Sequence, residues 1–468
     1  MASLATAEDG EAPSVPRPDS DTSVASKTAD SENDKENRFW EDHTKWSESV
    51  LQSPLDIIVD APEVVSGFKS YILYNVSSNP MGYCVQRRYS DFFWLRQTLA
   101  RRYVGVLVPT LPEKGSWTFK GPKFIQLRMR SLSIFMDKLI DNAYLRSDVA
   151  FLDFLSIKAR KEFDQAKKKN PIDTYTSSLV SSFNGMSVDG ENVGEIKWRE
   201  ALDKYTMPQN TERTIGRIKL QIESLEKVMQ NVIKASARLV EKSELYGREM
   251  GEFKVALASM ILTEETAVND SESVLKKHWE SLGAVLAKIG RVFDRWHFVL
   301  KLEPIVNELL FHEVLRYELA QLRALAQLLK QRDNMIEAHQ KAVKNARKKE
   351  LEQQSLVTRG KEDKAKKMND TIHGLQVNVE RCNYVVEFMT KGLFFSELDR
   401  FNTCKVAALN EMMAIFSAAQ LSYCTKLRSI WQLSADEIGS NPAASHEKAH
   451  VILERLGALE GMEKIADQ

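Results

Sequence analysis

Cysteine is scarce in this chain: there are four in 468 residues, and Cys84, Cys382, Cys404 and Cys424 stand apart with no Cys-x-x-Cys pair. That spacing speaks against a disulfide framework or a structural zinc site and suits a reducing compartment. Net charge is lacking too. Lys plus Arg (65) balance Asp plus Glu (65), so only local clusters can select a charged partner. No run of about 18 apolar residues exists to span a bilayer, and the N-terminus has no apolar core of the signal-peptide kind; any membrane contact is expected to be peripheral. Catalytic patterns are also missing. The eight histidines form no His-Glu-x-x-His, and neither Gly-x-Ser-x-Gly nor a Gly-x-x-x-x-Gly-Lys phosphate loop occurs. The expectation is a protein with no enzymatic activity, cofactor or metal.

The chain is too long for one ordinary core, so two or three folded units are expected. Residues 1–37 are rich in Ser, Asp, Ala, Thr and Pro and cannot bury enough apolar surface to offset chain entropy; they read as a disordered tail. Phe39, Trp40 and Trp46 mark the expected onset of order. Three β-like runs follow at residues 55–59, 68–76 and 83–89, separated by turn formers, and predict an antiparallel meander. Ser90 is the expected N-cap of a helix carrying Phe93, Trp94, Leu95 and Leu99. After a Pro/Gly-bearing loop, a helix over residues 123–142 turns Leu127, Leu132, Phe135, Met136 and Leu139 toward the core.

From residue 212 the pattern changes. Ile218, Ile222, Leu225, Met229, Val232, Ser236, Leu239, Ser243, Tyr246, Met250, Phe253, Leu257 and Met260 fall in alternating steps of four and three, the seam of a coiled-coil-like helix. Such a helix has no core of its own. A second helical stretch covers residues 271–354, with a kink expected at Pro304, and a third covers residues 362–432. A basic run at residues 341–367, including Arg347, Lys348, Lys349, Lys366 and Lys367, falls at the turn between them.

The most informative stretch is Arg87-Arg88-Tyr89-Ser90-Asp91-Phe92 with Trp94-Leu95. Arginine offers a planar fork of donors to phosphate oxygens, and a neighbouring ring can cover the apolar face of a sugar or inositol. Taken alone, the pair fits a solvated strand end better. Followed by Pro109, Leu111-Pro112-Glu113-Lys114 and a helix bearing Arg128, it resembles the Phox-homology (PX) domain. Downstream, the three long helices, Glu397-Leu398-Asp399-Arg400-Phe401, the stretch 412–416, Ala419-Gln420 and Trp431 resemble the BAR domain of sorting nexins. The stretch 402–409, with Cys404 and Ala407-Ala408, departs from that pattern by carrying little charge, which leaves the subgroup open.

The resemblance implies an α+β PX domain, a three-stranded antiparallel sheet plus helices, at residues 51–158. It is followed by a linker at 159–211, an all-α BAR domain of three long kinked helices at 212–433 and a C-terminal tail at 434–468. It implies phosphatidylinositol 3-phosphate as ligand: Arg88 on the 3-phosphate, Tyr89 beneath the inositol ring, Lys114 on the 1-phosphate and Arg128 on the 4- and 5-hydroxyls. Arg87 is expected to alternate to the other strand face, so that Arg88→Ala abolishes lipid binding while Arg87→Ala affects it only mildly. Trp117 and Phe119 suit insertion between headgroups, or packing on the PX core. Leu179 and Phe183, in a helical pattern at residues 174–186, suit an amphipathic wedge, or a linker packed on the next domain.

The implied partners are anionic membranes, a second PX-BAR chain as homodimer or heterodimer, and retromer-like coat components. The implied site is the cytosolic face of early endosomes, with a role in endosomal sorting and retrograde transport. The basic run lacks interleaved aromatics for base stacking, so no nucleic acid is expected. A coiled-coil scaffold or adaptor without lipid-specific recognition explains the helices equally well, but leaves Arg88, Tyr89, Lys114 and Arg128 without a role.

Overall fold

The computed structural model describes residues 55–65, 70–79, 81–112, 121–169, 193–269, 273–438 and 441–455. The expected meander is present. Strands β1 (Asp56–Val65), β2 (Tyr71–Asn79) and β3 (Tyr83–Arg88) pair antiparallel in the order β1-β2-β3. Gly82 takes φ +68 in the tight turn before β3, a backbone shape that suits glycine. A bulge between Asp60 and Glu63 breaks the β1–β2 register.

Helices pack on this sheet: α1 (Tyr89–Arg102), α2 (Pro122–Ile140), α3 (Ala143–Arg146), α4 (Val149–Ser156) and α5 (Arg160–Lys169). Tyr74 and Val76 of β2, Phe92, Leu95 and Leu99 of α1, Leu132, Phe135, Met136 and Leu139 of α2, and Phe154 of α4 are buried together. Phe92 is the hub, meeting Tyr74, Phe135 and Phe154 edge to face, a favoured ring geometry. One local expectation needs correction. Helix α1 begins at Tyr89, with Arg88 rather than Ser90 at the N-cap, because the Asp91 carboxylate accepts a 3.0 Å hydrogen bond from the Arg88 N–H. Phe93 of the same helix is 41% exposed.

Helix α6 (Val193–Lys204) joins the two halves. Trp198, fully buried, meets Tyr144 of α3 at 5.0 Å and Phe395 of the long helices at 5.9 Å between ring centroids. The long helices then follow. Helix α7 (Thr211–Asn269) is unbroken. The second runs through α8 (Ser273–Leu300), α9 (Leu302–Val306), a π-helical turn at Asn307–His312 and α10 (Glu313–Thr358). Pro304 sits in α9, where its missing N–H leaves no donor for the Leu300 carbonyl, and the helix is interrupted at Lys301. After the short α11 (Glu362–Lys366) the chain returns through α12 (Asn369–Gly392), a second π-helical turn at Leu393–Glu397 and α13 (Leu398–Ile438); α14 (Pro442–Arg455) comes last.

The three long stretches hold together through polar as well as apolar contacts. Arg332 of α10, 2% exposed, bonds Thr390 of α12 at 2.7 Å and pairs with Glu212 of α7. Tyr246, Phe253, Phe293, Trp296 and Trp431 form a ring cluster spanning α7, α8 and α13.

Candidate functional site

Strand alternation separates the two adjacent arginines. Arg87 points inward and is 1% exposed. Its guanidinium donates to the carbonyls of Phe154 at 2.9 Å, Gln86 at 3.0 Å and Ile157 at 2.6 Å, and lies 3.9 Å from the Phe163 ring centroid. Burial lowers its pKa to about 10, so it remains charged at neutral pH. It satisfies the C-terminal carbonyls of α4, which would otherwise be orphaned. Arg87 thus lies on the other strand face, as alternation predicts, and its removal would leave buried acceptors unpaired.

Arg88, on the other face, keeps 42% of its side chain exposed, with Nε 3.8 Å from Asp91. Tyr89, next in the chain, donates from its hydroxyl to the Pro112 carbonyl at 2.6 Å. That bond ties the loop beyond α1 to the start of the helix. The Arg128 guanidinium of α2 lies 4.7 Å from the Tyr89 ring centroid and 4.3 Å from that of Phe124. Arg128 thus meets Tyr89, the residue next to the half-exposed Arg88, although 39 residues separate the two in sequence. In this arrangement a face of Tyr89 is covered by Arg128, so a ring stacking there has to displace the guanidinium or use the opposite face. Lys114, Trp117 and Phe119 lie outside the described residues, as do Leu179 and Phe183.

The support beneath the site is a buried ion cluster that the sequence reading missed. Asp91, fully buried, accepts from Arg160 at 2.7 and 3.2 Å and from Lys167 at 2.9 Å. Burial alone would raise this carboxyl; the hydrogen bonds from Arg160, Lys167 and the Arg88 N–H outweigh it and hold the pKa below its ordinary value. Helix α5 supplies both cations, so the stretch just after residue 158 locks the helix start that presents Arg88 and Tyr89.

A second missed feature couples the site to the long helices. Glu397, fully buried, accepts the Leu107 N–H at 2.9 Å, while Arg400 donates to the Leu107 carbonyl at 2.8 Å; the two side chains are themselves paired. Both come from the acidic-aromatic Glu397–Phe401 motif. Beside this clamp Gly105, with φ +93, meets Gly392 so closely that a Cβ would lie 3.2 Å from the Met389 backbone. The orientation of the sheet-bearing unit on the helices is thereby fixed.

At the far end of the helices, Arg347, Lys348, Lys366 and Lys367 are exposed around the turn from α10 to α12. Lys349 is half-buried and 2.8 Å from Glu352. Among the described residues no helix is long and apolar enough to cross a membrane.

A three-stranded sheet with an arginine-tyrosine corner, followed by three long helical stretches, defines the class: a PX unit joined to a BAR-type unit. The PX domain family model matches residues 76–158. Sorting nexin lst-4 of Caenorhabditis elegans is 24% identical over 265 residues, 55% of this chain and 44% of that protein. Vacuolar protein sorting-associated protein vps5 of Schizosaccharomyces pombe is 24% identical over 261 residues, 52% and 42% respectively. The cryo-EM structure of the SNX-BAR Mvp1 tetramer shares the fold with a TM-score of 0.51 at 17% identity, covering 80% of this chain and 100% of that one. The chain carries a PX domain, and with its long helices it is similar to sorting nexins and shares the fold of a PX-BAR protein. It spans less than half the length of the two curated relatives.

Proposed function

We propose that the chain is a peripheral membrane protein of endosomal sorting that recognises a 3-phosphorylated inositol lipid through its PX unit and senses or induces curvature as a BAR dimer. The observation that carries the lipid reading is Arg128 stacked on Tyr89, which is tied to the Pro112 loop and adjoins the half-exposed Arg88. Two guanidiniums and a ring at one corner suit an anionic, hydroxylated headgroup. In this reading Arg88 takes the 3-phosphate, Arg128 the ring hydroxyls and Lys114 the 1-phosphate, and Trp117 and Phe119 enter the headgroup layer. Residues 51–158 form the lipid-reading domain, residues 159–211 the connection with its wedge at Leu179 and Phe183, and residues 212–433 the dimerising domain. The work is binding and shaping rather than catalysis, carried out on the cytosolic face of early endosomes, with a second PX-BAR chain and retromer-like coat components as partners.

The dimer is supported by apolar surface that one chain leaves open. Seam residues Val232, Leu239, Tyr246, Phe253 and Met260 of α7 are all more than 40% exposed, which suits burial against another copy. Vesicle flotation separates this function from that of a coiled-coil scaffold. The wild type is expected to float with vesicles containing phosphatidylinositol 3-phosphate and far less with phosphatidylinositol. Equal flotation on both would defeat the lipid-specific reading.

A further inference from the structure

Between the sheet-bearing unit and the long helices lies a cleft of about 610 Å³. One wall is α2, through Leu127, Arg130 and Ile134; the facing wall includes Arg316 and Arg323 of α10. Phe93 and Tyr89 line it from α1. Four arginines (Arg96, Arg130, Arg316 and Arg323) border it against a single carboxylate, Glu313. Glu313 is taken by Arg316 at 2.9 Å, and Arg323 by Glu226 at 2.8 Å. Arg96 donates to the Pro109 carbonyl at 2.9 Å. Arg130 has no ion pair among the described residues. An apolar trough with excess positive charge suits a peptide that alternates aromatic and acidic side chains.

Such a peptide lies just upstream in the same chain. Residues 1–54 hold twelve acidic residues against five basic ones, and Phe39-Trp40-Glu41-Asp42 and Trp46 put both kinds of side chain together. The connection is short. Strand β1 packs on α2, and Asp56 at its start is near enough to help raise the Asp137 carboxyl on α2, after burial, to about 6. From Asp137 to Arg130 is seven helical residues, roughly 10 Å. The four residues 51–54 span up to about 13 Å when extended. We propose that residues 36–50 of this chain dock in the cleft, with Trp40 or Trp46 against the apolar wall and Glu41 and Asp42 toward Arg130. Tethering this close places the segment at an effective concentration in the millimolar range, which favours it over a free competitor of the same chemistry.

Limited chymotrypsin digestion of the full chain reads this directly, by mass spectrometry of cleavage after Trp40 and Trp46. Arg130→Glu is expected to speed cleavage at least tenfold, and so is the double change Glu41→Arg with Asp42→Arg. Combining the three changes is expected to restore slow cleavage by exchanging the charges. Should Arg130→Glu fail to fold, the Glu41/Asp42 variant carries the comparison, since it leaves the cleft itself unaltered. Three outcomes overturn the proposal. The first is cleavage equally fast in the wild type and both charge variants. The second is protection that disappears on hundredfold dilution, which makes a second copy the occupant. The third is protection that appears only with anionic vesicles, which makes a membrane the occupant.

Discussion

In the sheet-bearing unit the apolar side chains find partners within their own unit: Phe92, Leu95, Leu99, Leu132, Phe135 and Phe154 are all fully covered. Along α7 the outcome is different. Ile222, Ser236 and Val240 are buried against the neighbouring helices, yet Val232, Leu239, Tyr246 and Phe253 of the same helix stay open. One region closes its core alone; the other has a surface that only a further body can cover. A long helix buries one stripe against its own hairpin and has a second stripe left over, whereas a twisted sheet with helices closes a core around itself. The clamp at Leu107 therefore links a unit that closes its own core to helices that leave apolar surface open.

The contrast is broken most severely on the helix side. Replacing Leu239 and Phe253 with Glu puts two unpaired charges into any interface built on the seam, each costing several kcal/mol. Light scattering is expected to show a monomer where the wild type is dimeric, with the melting of the sheet-bearing unit unchanged. A dimer that survives both changes would place the interface elsewhere. On the reader side, Arg87→Ala removes three charge-assisted hydrogen bonds at a buried site and is expected to cost about 3–5 kcal/mol. Thermal unfolding would register that loss, while Arg88→Ala is expected to leave the melting point nearly unchanged.

These two arginines also show how far the sequence could be read. Alternation along β3 was enough to send Arg87 and Arg88 to opposite faces, and the heptad steps were enough to mark the α7 seam. What Arg87 does inside was not readable, because its acceptors are backbone carbonyls 67 and 70 residues away, and carbonyls carry no sequence signature. The same holds for Glu397 and Arg400. They were visible as a family motif, but their target is the Leu107 peptide unit, 290 residues earlier. The Asp91 cluster was hidden for a related reason: Arg160 and Lys167 sit among other basic residues, and only the fold selects which of them turn inward.

Glu318 sharpens the comparison at the join. It is 6% exposed on α10, with Lys138 of α2 and Lys405 of α13 among its electrostatic neighbours, and burial raises its carboxyl to about 7. A raised carboxyl means that the folded state holds a proton that the unfolded state has released. Stability is therefore expected to fall as pH rises from about 4.5 to 7, by roughly 3 kcal/mol at most. Glu318→Gln removes that slope, so its melting point is expected to exceed wild type at pH 8 and to converge with it near pH 4.5. Parallel curves would show that the carboxyl is not protonated in the fold.

The smallest single effects belong to the far turn. Exchanging Arg347, Lys348, Lys349, Lys366 and Lys367 for Glu changes about 1 kcal/mol or less per site at an anionic surface. Together the five are expected to weaken vesicle binding and tubulation steeply without altering the dimer. Lys349, already engaged by Glu352, is expected to contribute least. Normal tubulation by this variant would remove the basic turn from the account.

The claim that the sheet-bearing unit reads a phosphorylated headgroup is tested most directly by titrating the chain with soluble inositol 1,3-bisphosphate, in wild-type and Arg88→Ala forms. Losing a charged donor to phosphate is worth about 1.5–3 kcal/mol, so Arg88→Ala is expected to weaken binding roughly 10- to 100-fold at an unchanged melting temperature. Equal affinity in the two forms would contradict the account.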